Sequence, residues 1–89
     1  MVTREITIIN KLGMHARAAA KFVNLTSGFV SELFVEKGEK RVNGKSIMGV
    51  MMLAASRGSS VTLMAEGEDA EAALDACEAL INDRFGEPE

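Results

Sequence analysis

The chain has 89 residues, 47% hydrophobic and 26% charged, which predicts one globular domain over residues 1–89 rather than a disordered chain. The formal net charge of −3 and the lack of Trp and Tyr argue against nucleic acid as a partner. With one Cys and one His, an internal disulfide and a zinc ligand set are excluded. No apolar run reaches the roughly 20 residues of a membrane span, and the N-terminus does not resemble a signal peptide. We therefore expect a cytoplasmic domain with no membrane insertion, no metal and no cofactor.

The first half of the chain predicts a strand, a turn and a helix. Residues 2–9 alternate apolar and polar side chains, which is typical of a strand with one buried face. Residues 10–13 predict a turn in which Gly13 takes a positive φ. The alanine-rich run from Ala16 predicts a helix, and Gly28 is a residue type suited to its C-terminal end.

A hairpin and a short helix are predicted next. Residues 29–36 and 40–43 are rich in β-branched and aromatic residues, and the intervening Lys37-Gly38-Glu39 suggests a hairpin turn. Ser46 is a favourable N-cap for a short helix that continues to about Leu53.

The C-terminal third predicts a further strand and helix. Residues 60–65 alternate as a strand does, and apolar residues from Ala70 to Ile81, with Cys77 in the core, recur at helical spacing. Asp69 and its neighbours look like ordinary capping acids, and Gly86 and Pro88 end the helix. The order β-α-β-β-α-β-α favours an α+β fold with one sheet covered on one face by helices.

His15 and Arg17 are the residues that suggest chemistry. His15 lies where the first strand turns into the first helix, close to free helical amides that can bind an anion. A phosphoryl group on the imidazole can accept hydrogen bonds from the amides of Ala16 and Arg17, and the Arg17 guanidinium suits phosphate oxygens. Neutral imidazole is also a competent nucleophile.

Structural explanations compete with these roles. A lone histidine in a small protein is usually a surface or capping residue, and an arginine such as Arg17 is commonly just solvated. Ser46 is explained by N-capping alone. The chain shows no general base near His15, no glycine-rich nucleotide loop and no metal site, so we expect a carrier that depends on its partners rather than a self-sufficient enzyme.

Two motifs carry a resemblance to a known family. Lys11-Leu12-Gly13-Met14-His15-Ala16-Arg17, followed by Ala19-Ala20, closely resembles the active-centre signature of the histidine-containing phosphocarrier proteins (HPr). Lys45-Ser46-Ile47-Met48-Gly49-Val50-Met51 resembles the second signature of that family, around its regulatory serine. The two motifs have the family's separation, and the element order follows the family over the whole chain.

The resemblance implies an open-faced sandwich, with a four-stranded antiparallel sheet and three helices on one face. It also implies that His15 accepts a phosphoryl group on Nδ1 from phospho-enzyme I, which draws on phosphoenolpyruvate, and passes it to a sugar-specific enzyme IIA. Ala18 departs from the family, which usually has proline there. Alanine maintains the helix but makes the active-centre loop less rigid, so we expect the role to survive and the rate to change.

The resemblance further implies regulatory phosphorylation of Ser46 by HPr kinase/phosphorylase. Exposed apolar side chains beside the active centre suit a protein that docks on several partners. We expect this docking face to be formed by Ala20, Asn24, Ile47, Met48 and Met51, although at least one of the methionines at 48, 51 and 52 should belong to the core.

Three alternatives remain open at this stage. Lys11 to Met14 also resembles the nitrogen-related branch of the family, which would not serve sugar transport. A serine-switched interaction module needs no phosphoryl transfer, but His15 and Arg17 argue against it. A small-ligand-sensing α+β domain shares the element order but has no need of the histidine. We expect the protein to be a monomer.

Overall fold

A computed structural model describes all 89 residues. The strands are β1 (Val2–Thr7), β2 (Glu32–Lys37), β3 (Lys40–Asn43) and β4 (Ser60–Glu66). The helices are α1 (Ala16–Thr26), α2 (Ile47–Met52) and α3 (Ala70–Asn82), followed by a 3₁₀ turn at Arg84–Gly86. The predicted element order and the α+β class are therefore confirmed, whereas the 3₁₀ turn was not foreseen.

The four strands form one antiparallel sheet in the order β1-β4-β2-β3. Cross-strand partners share a face of the sheet, and two such pairs on one face are apolar: Ile6 with Val61, and Val35 with Leu63. The helices cover this face, and between them lies a core that includes Phe22, which is 1% exposed.

The edge strand β1 is fastened to α3 by Arg4. Arg4 interrupts the apolar alternation of β1, and its side chain is largely covered. Its guanidinium pairs with Glu71 at 3.3 Å, Asp75 at 2.6 Å and Glu78 at 3.0 Å, all on α3. The polar residue that disturbs the strand pattern thus connects the strand to the helix above it.

The charges of the helices are segregated. Helix α1 carries Arg17 and Lys21 and no acid, whereas α3 carries Glu71, Asp75 and Glu78 and no base. The two helices pack against each other on the same face of the sheet. None of the helices has the length and apolar character that a membrane span requires.

Helix α1 ends at Thr26 with Ser27 as its C-cap, next to Gly28, as the sequence predicted, and Gly28 does not adopt a positive φ. Two other local expectations are wrong. Strand β2 begins at Glu32 rather than Phe29, because Val30 and Ser31 are held instead by the side chain of Asp69. Asp69 stands at the N-cap position of α3 but does not cap it through its side chain.

Candidate functional site

The loop between β1 and α1 holds His15 in a defined position. Gly13 has φ of +68°, as its place in the turn predicted. The amide of Met14 donates to the carbonyl of Ala55 at 2.8 Å, and Met14 itself is buried. His15 then takes extended backbone angles and becomes the N-cap of α1. The loop is therefore anchored on both sides of the histidine.

The imidazole of His15 caps the helix through Nδ1. The backbone N–H of Arg17 donates to Nδ1 at 3.3 Å, so this nitrogen presents its lone pair to the first turn of α1. The side chain is 27% exposed, which leaves the ring accessible from solvent. The helix N-terminus directed at Nδ1 contributes positive potential where a transferred phosphoryl group would sit.

The expected site residues share one open depression. It contains His15, Ala16 and Arg17, together with the turn residues Lys11 and Leu12. The guanidinium of Arg17 makes no hydrogen bond or ion pair with any other residue, and Arg17 is exposed. It is therefore free to reach an anion at the entrance of the depression. The structure brings the three predicted residues together.

The expectation that no general base lies near His15 is wrong, because a carboxylate contacts the imidazole. Glu87 contacts Nε2 of His15 through one carboxylate oxygen, and its other oxygen accepts a hydrogen bond from Nδ2 of Asn10 at 2.9 Å. Asn10 is fully buried and also donates to the carbonyl of Gly13 at 2.8 Å. Because both of these partners are acceptors, the orientation of the Asn10 amide is fixed.

The contacts of Glu87 keep it ionised. The hydrogen bond from Asn10 is the main cause that holds the pKa of Glu87 below its usual range. Burial acts in the opposite direction and raises this pKa, whereas the contact with His15 and the charge of Lys21 lower it further. Its side chain is 13% exposed. No local pattern pointed to this residue, since it lies 72 residues from His15 in the sequence. The only signal was an acid after the predicted end of the last helix.

The predicted docking face is largely exposed. Ile47, Met48 and Met51 on α2 are 42%, 71% and 38% exposed, and on α1 Asn24 is exposed and Ala20 half-buried. The expectation that one of the methionines belongs to the core is wrong, because Met52 is also 65% exposed and Val50 fills the core position. Leu12, which lines the depression, is a further exposed apolar side chain.

Ser46 is the N-cap of α2, as the sequence predicted. Its Oγ accepts a hydrogen bond from the amide of Gly49 at 3.1 Å, and the residue is half-buried. The side chain stands directly before the exposed apolar residues Ile47 and Met48.

An open-faced sandwich with an accessible helix-capping histidine defines a class of small phosphocarrier domains. The family model described as "PTS HPr component phosphorylation site" matches residues 2–83. The phosphocarrier protein HPr of Cupriavidus necator is 55% identical over 89 residues, which covers 100% of both chains. The chain belongs to the HPr family of phosphocarrier proteins of the phosphotransferase system.

Two further similarities bear on its place within the family. The crystal structure of HPr from Thermoanaerobacter tengcongensis superposes with a TM-score of 0.96, at 50% identity and with 100% of both chains covered. The phosphocarrier protein NPr of Shewanella violacea is 46% identical over 84 residues, covering 94% of this chain and 92% of the relative. Relatives named HPr and NPr are therefore both similar to this chain.

Proposed function

We propose that this protein accepts a phosphoryl group on Nδ1 of His15 from phospho-enzyme I and passes it to an enzyme IIA in the cytoplasm. The observation that carries the proposal is the placement of Nδ1 against the Arg17 amide, at the N-terminus of α1, in an open depression that Arg17 also lines. The lone pair on Nδ1 is the nucleophile that phosphoryl acceptance requires.

Each neighbouring group has a separate role in this proposal. The amides of Ala16 and Arg17 donate to the phosphate oxygens, and the hydrogen bond from Arg17 to Nδ1 is exchanged for one to the phosphoryl group. The guanidinium of Arg17, which is unpaired before transfer, compensates the added charge. The chain supplies the acceptor and a binding site for the phosphoryl group, while the donor and the final acceptor supply the remaining machinery.

The test is the intact mass of the protein after incubation with the enzyme I of its own organism, Mg²⁺ and phosphoenolpyruvate. We expect the mass of a single phosphoryl group, labile in acid, on the wild type and none on His15→Ala. A His15→Ala protein that gains the same acid-labile group would place the acceptor elsewhere. A wild type that gains none would contradict the carrier function and favour the interaction module.

The docking face provides a second candidate function, regulation through Ser46. We propose that HPr kinase/phosphorylase modifies this serine and that the added charge weakens docking by the exposed side chains of Ile47, Met48 and Met51. Support comes from the position of Ser46 directly before that apolar surface. Ser46→Asp should slow phosphorylation of His15 by enzyme I, whereas Ser46→Ala should not. Equal rates for both variants would contradict this role.

The choice of acceptor distinguishes the sugar branch from the nitrogen-related branch. The second signature and the similarity to HPr of Cupriavidus necator support a sugar-specific enzyme IIA, while the NPr relative supports the other branch. The phosphorylated protein should be presented to both types of enzyme IIA from the same organism. We expect faster transfer to the sugar-specific type, and the reverse order would assign the chain to the nitrogen-related branch.

A further inference from the structure

The C-terminal tail reaches the active centre by an unusual backbone path. After α3, Arg84 and Phe85 both have φ of +55°, a left-handed conformation that is costly for residues other than glycine. The side chain of Phe85 is fully buried, and Nζ of Lys21 on α1 donates to its carbonyl at 2.7 Å. These contacts hold the tail in a direction that brings Glu87 to His15.

A second attachment holds the end of the tail. The amide of Lys11 donates to the carbonyl of Glu89 at 3.0 Å, and the Lys11 ammonium pairs with the Glu89 carboxylate at 3.4 Å. The backbone hydrogen bond from Lys11 does not depend on the Glu89 side chain, and it holds the tail on the C-terminal side of Glu87. The carboxylate of Glu87 bridges Asn10 and His15. Because one oxygen of the Glu87 carboxylate accepts a hydrogen bond from the fully buried Asn10 amide, the carboxylate has little freedom to move away from the imidazole.

The two hydrogen bonds of the imidazole specify its protonation. Glu87 is an acceptor at neutral pH, so Nε2 must be the nitrogen that carries the proton. The amide of Arg17 is a donor, so Nδ1 must be the nitrogen with the lone pair. Both contacts select the same tautomer of neutral His15, as carboxylate partners of histidine commonly do.

We propose that Glu87 is a positioning residue for phosphoryl transfer: it retains the proton on Nε2 of His15, leaves the lone pair on Nδ1, and compensates the positive charge of the phosphorylated ring. The proposal rests on the phosphocarrier function proposed above. The C-terminal tail would then take part in phosphoryl transfer, because it supplies the one carboxylate that contacts the reacting imidazole.

The transfer step balances without a proton moving at the site. The lone pair of Nδ1 forms the N–P bond, and the bond from phosphorus to the leaving atom of the donor breaks with its electron pair going to that atom. Nε2 retains its proton, so the ring becomes cationic and forms an ion pair with Glu87. In the onward transfer the N–P bond breaks, its electron pair returns to Nδ1, and the ring is neutral again.

The charged groups around this contact come from three segments. Arg17 and Lys21 belong to α1, Lys11 to the turn before it, and Glu89 to the tail. Lys11 is paired with Glu89, and Lys21 is engaged with the carbonyl of Phe85. Glu87 is therefore the single negative group in direct contact with the ring, and its charge can be removed separately.

The experiment compares wild type with Glu87→Gln and with the control Glu89→Gln. The control removes a carboxylate from the same tail, but this carboxylate pairs with Lys11 and not with His15. The proton on Nε2 is followed by ¹H–¹⁵N NMR in the unphosphorylated protein. We expect a slowly exchanging signal in wild type and Glu89→Gln. In Glu87→Gln that signal should exchange faster, because a neutral acceptor forms a weaker hydrogen bond than a carboxylate does.

The same three proteins are then phosphorylated by enzyme I, and the equilibrium yield of phosphoprotein is measured by ³¹P NMR. The yield in Glu87→Gln should fall about tenfold, because a neutral side chain cannot compensate the positive charge of the phosphorylated ring. Glu89→Gln should match wild type. This pattern would not arise if Glu87 only stabilised the fold, since both readouts report on the imidazole.

Several results would overturn the proposal. A Glu87→Gln protein equal to wild type in the exchange of the Nε2 proton and in the yield of phosphoprotein would reduce Glu87 to a structural contact. Faster phosphorylation of Glu87→Gln would make the tail a cover over the site instead. If wild type itself accepts no phosphoryl group, the carrier function fails and the role of Glu87 fails with it, a result clearly different from equal acceptance by both proteins.

Discussion

At the scale of single residues, Gly13 shows why the loop before His15 tolerates little change. A Cβ at this position would lie 2.6 Å from the carbonyl oxygen of Ala55 and 2.8 Å from Cα of Ser56. Both atoms belong to the backbone, so they cannot move aside as a flexible side chain does. The positive φ adds to the cost of any other residue. The lack of a side chain at Gly13 thus allows the active-centre loop to pack closely against the backbone of the segment after α2.

The substitution Gly13→Ala should lower the free energy of unfolding by about 2 kcal/mol or more, from backbone strain and the close contact together. Gly38→Ala is the matched control, because Gly38 also has positive φ (+60°) but has no atom within 4 Å of the added Cβ. The free energy of unfolding of Gly38→Ala should fall by about 1 kcal/mol. The measurement is urea unfolding of both variants, and equal losses would show that the contact with Ala55 costs nothing.

The residues that sequence could identify are those whose role depends on near neighbours. Gly13, His15 and Ser46 were placed correctly because turn and capping preferences act within a few positions. Glu87 was missed because its role depends on a contact across 72 residues. Val50 was missed as the core residue of α2 because a six-residue helix has too few positions to reveal its buried side by periodicity.

At the scale of elements, Asp69 fastens the start of α3 to the segment before β2. Its carboxylate accepts hydrogen bonds from the amides of Val30 and Ser31, both at 2.9 Å, and from the hydroxyl of Ser31. Sequence predicted an ordinary capping acid here, and a helix-terminal acid could not reveal its partner in another element. The element types and order were predictable from local patterns, whereas this connection required the tertiary structure.

Asp69 should make the protein sensitive to acid. The hydroxyl of Ser31 and the amide of Val30 lower the pKa of Asp69 from its ordinary value of 3.8, which means that the ionised carboxylate stabilises the folded state. This stabilisation is present above about pH 4 and is lost as the pH falls through the lowered pKa.

Asp69→Asn should therefore melt below wild type at neutral pH, and the difference should shrink below about pH 4. Thermal unfolding across this range measures it, with Glu68→Gln as the control on an exposed neighbouring acid. A difference that stays constant down to the lowest pH would show that the charge of Asp69 contributes nothing beyond its hydrogen bonds.

At the scale of the whole molecule, the packed interior determines the reactivity of the one thiol. Cys77 on α3 is fully buried within the core, and burial raises its pKa to about 11. A thiol in this environment is neither ionised at neutral pH nor reachable by a reagent, since only the thiolate is strongly nucleophilic. Access to the sulfur therefore depends on opening of the core.

The folded protein should not react with a thiol reagent at pH 7 on the time scale of an exposed cysteine. In denaturant the same reagent should modify one thiol per chain, because Cys77 is the only cysteine in the sequence. Mass spectrometry after timed alkylation measures both conditions. Rapid modification of the native protein would mean that α3 separates from the sheet more readily than its packing indicates.

The segregation of charge between α1 and α3 gives these two neighbouring helices opposite signs of charge. Their charged side chains experience opposite forces in an external field, which adds a turning moment to the force on the net charge. Near an acidic surface this turning moment favours an approach with α1, whose N-cap is His15, toward that surface. At physiological salt, where screening acts over about 8 Å, this orientation operates only in the last step of an encounter.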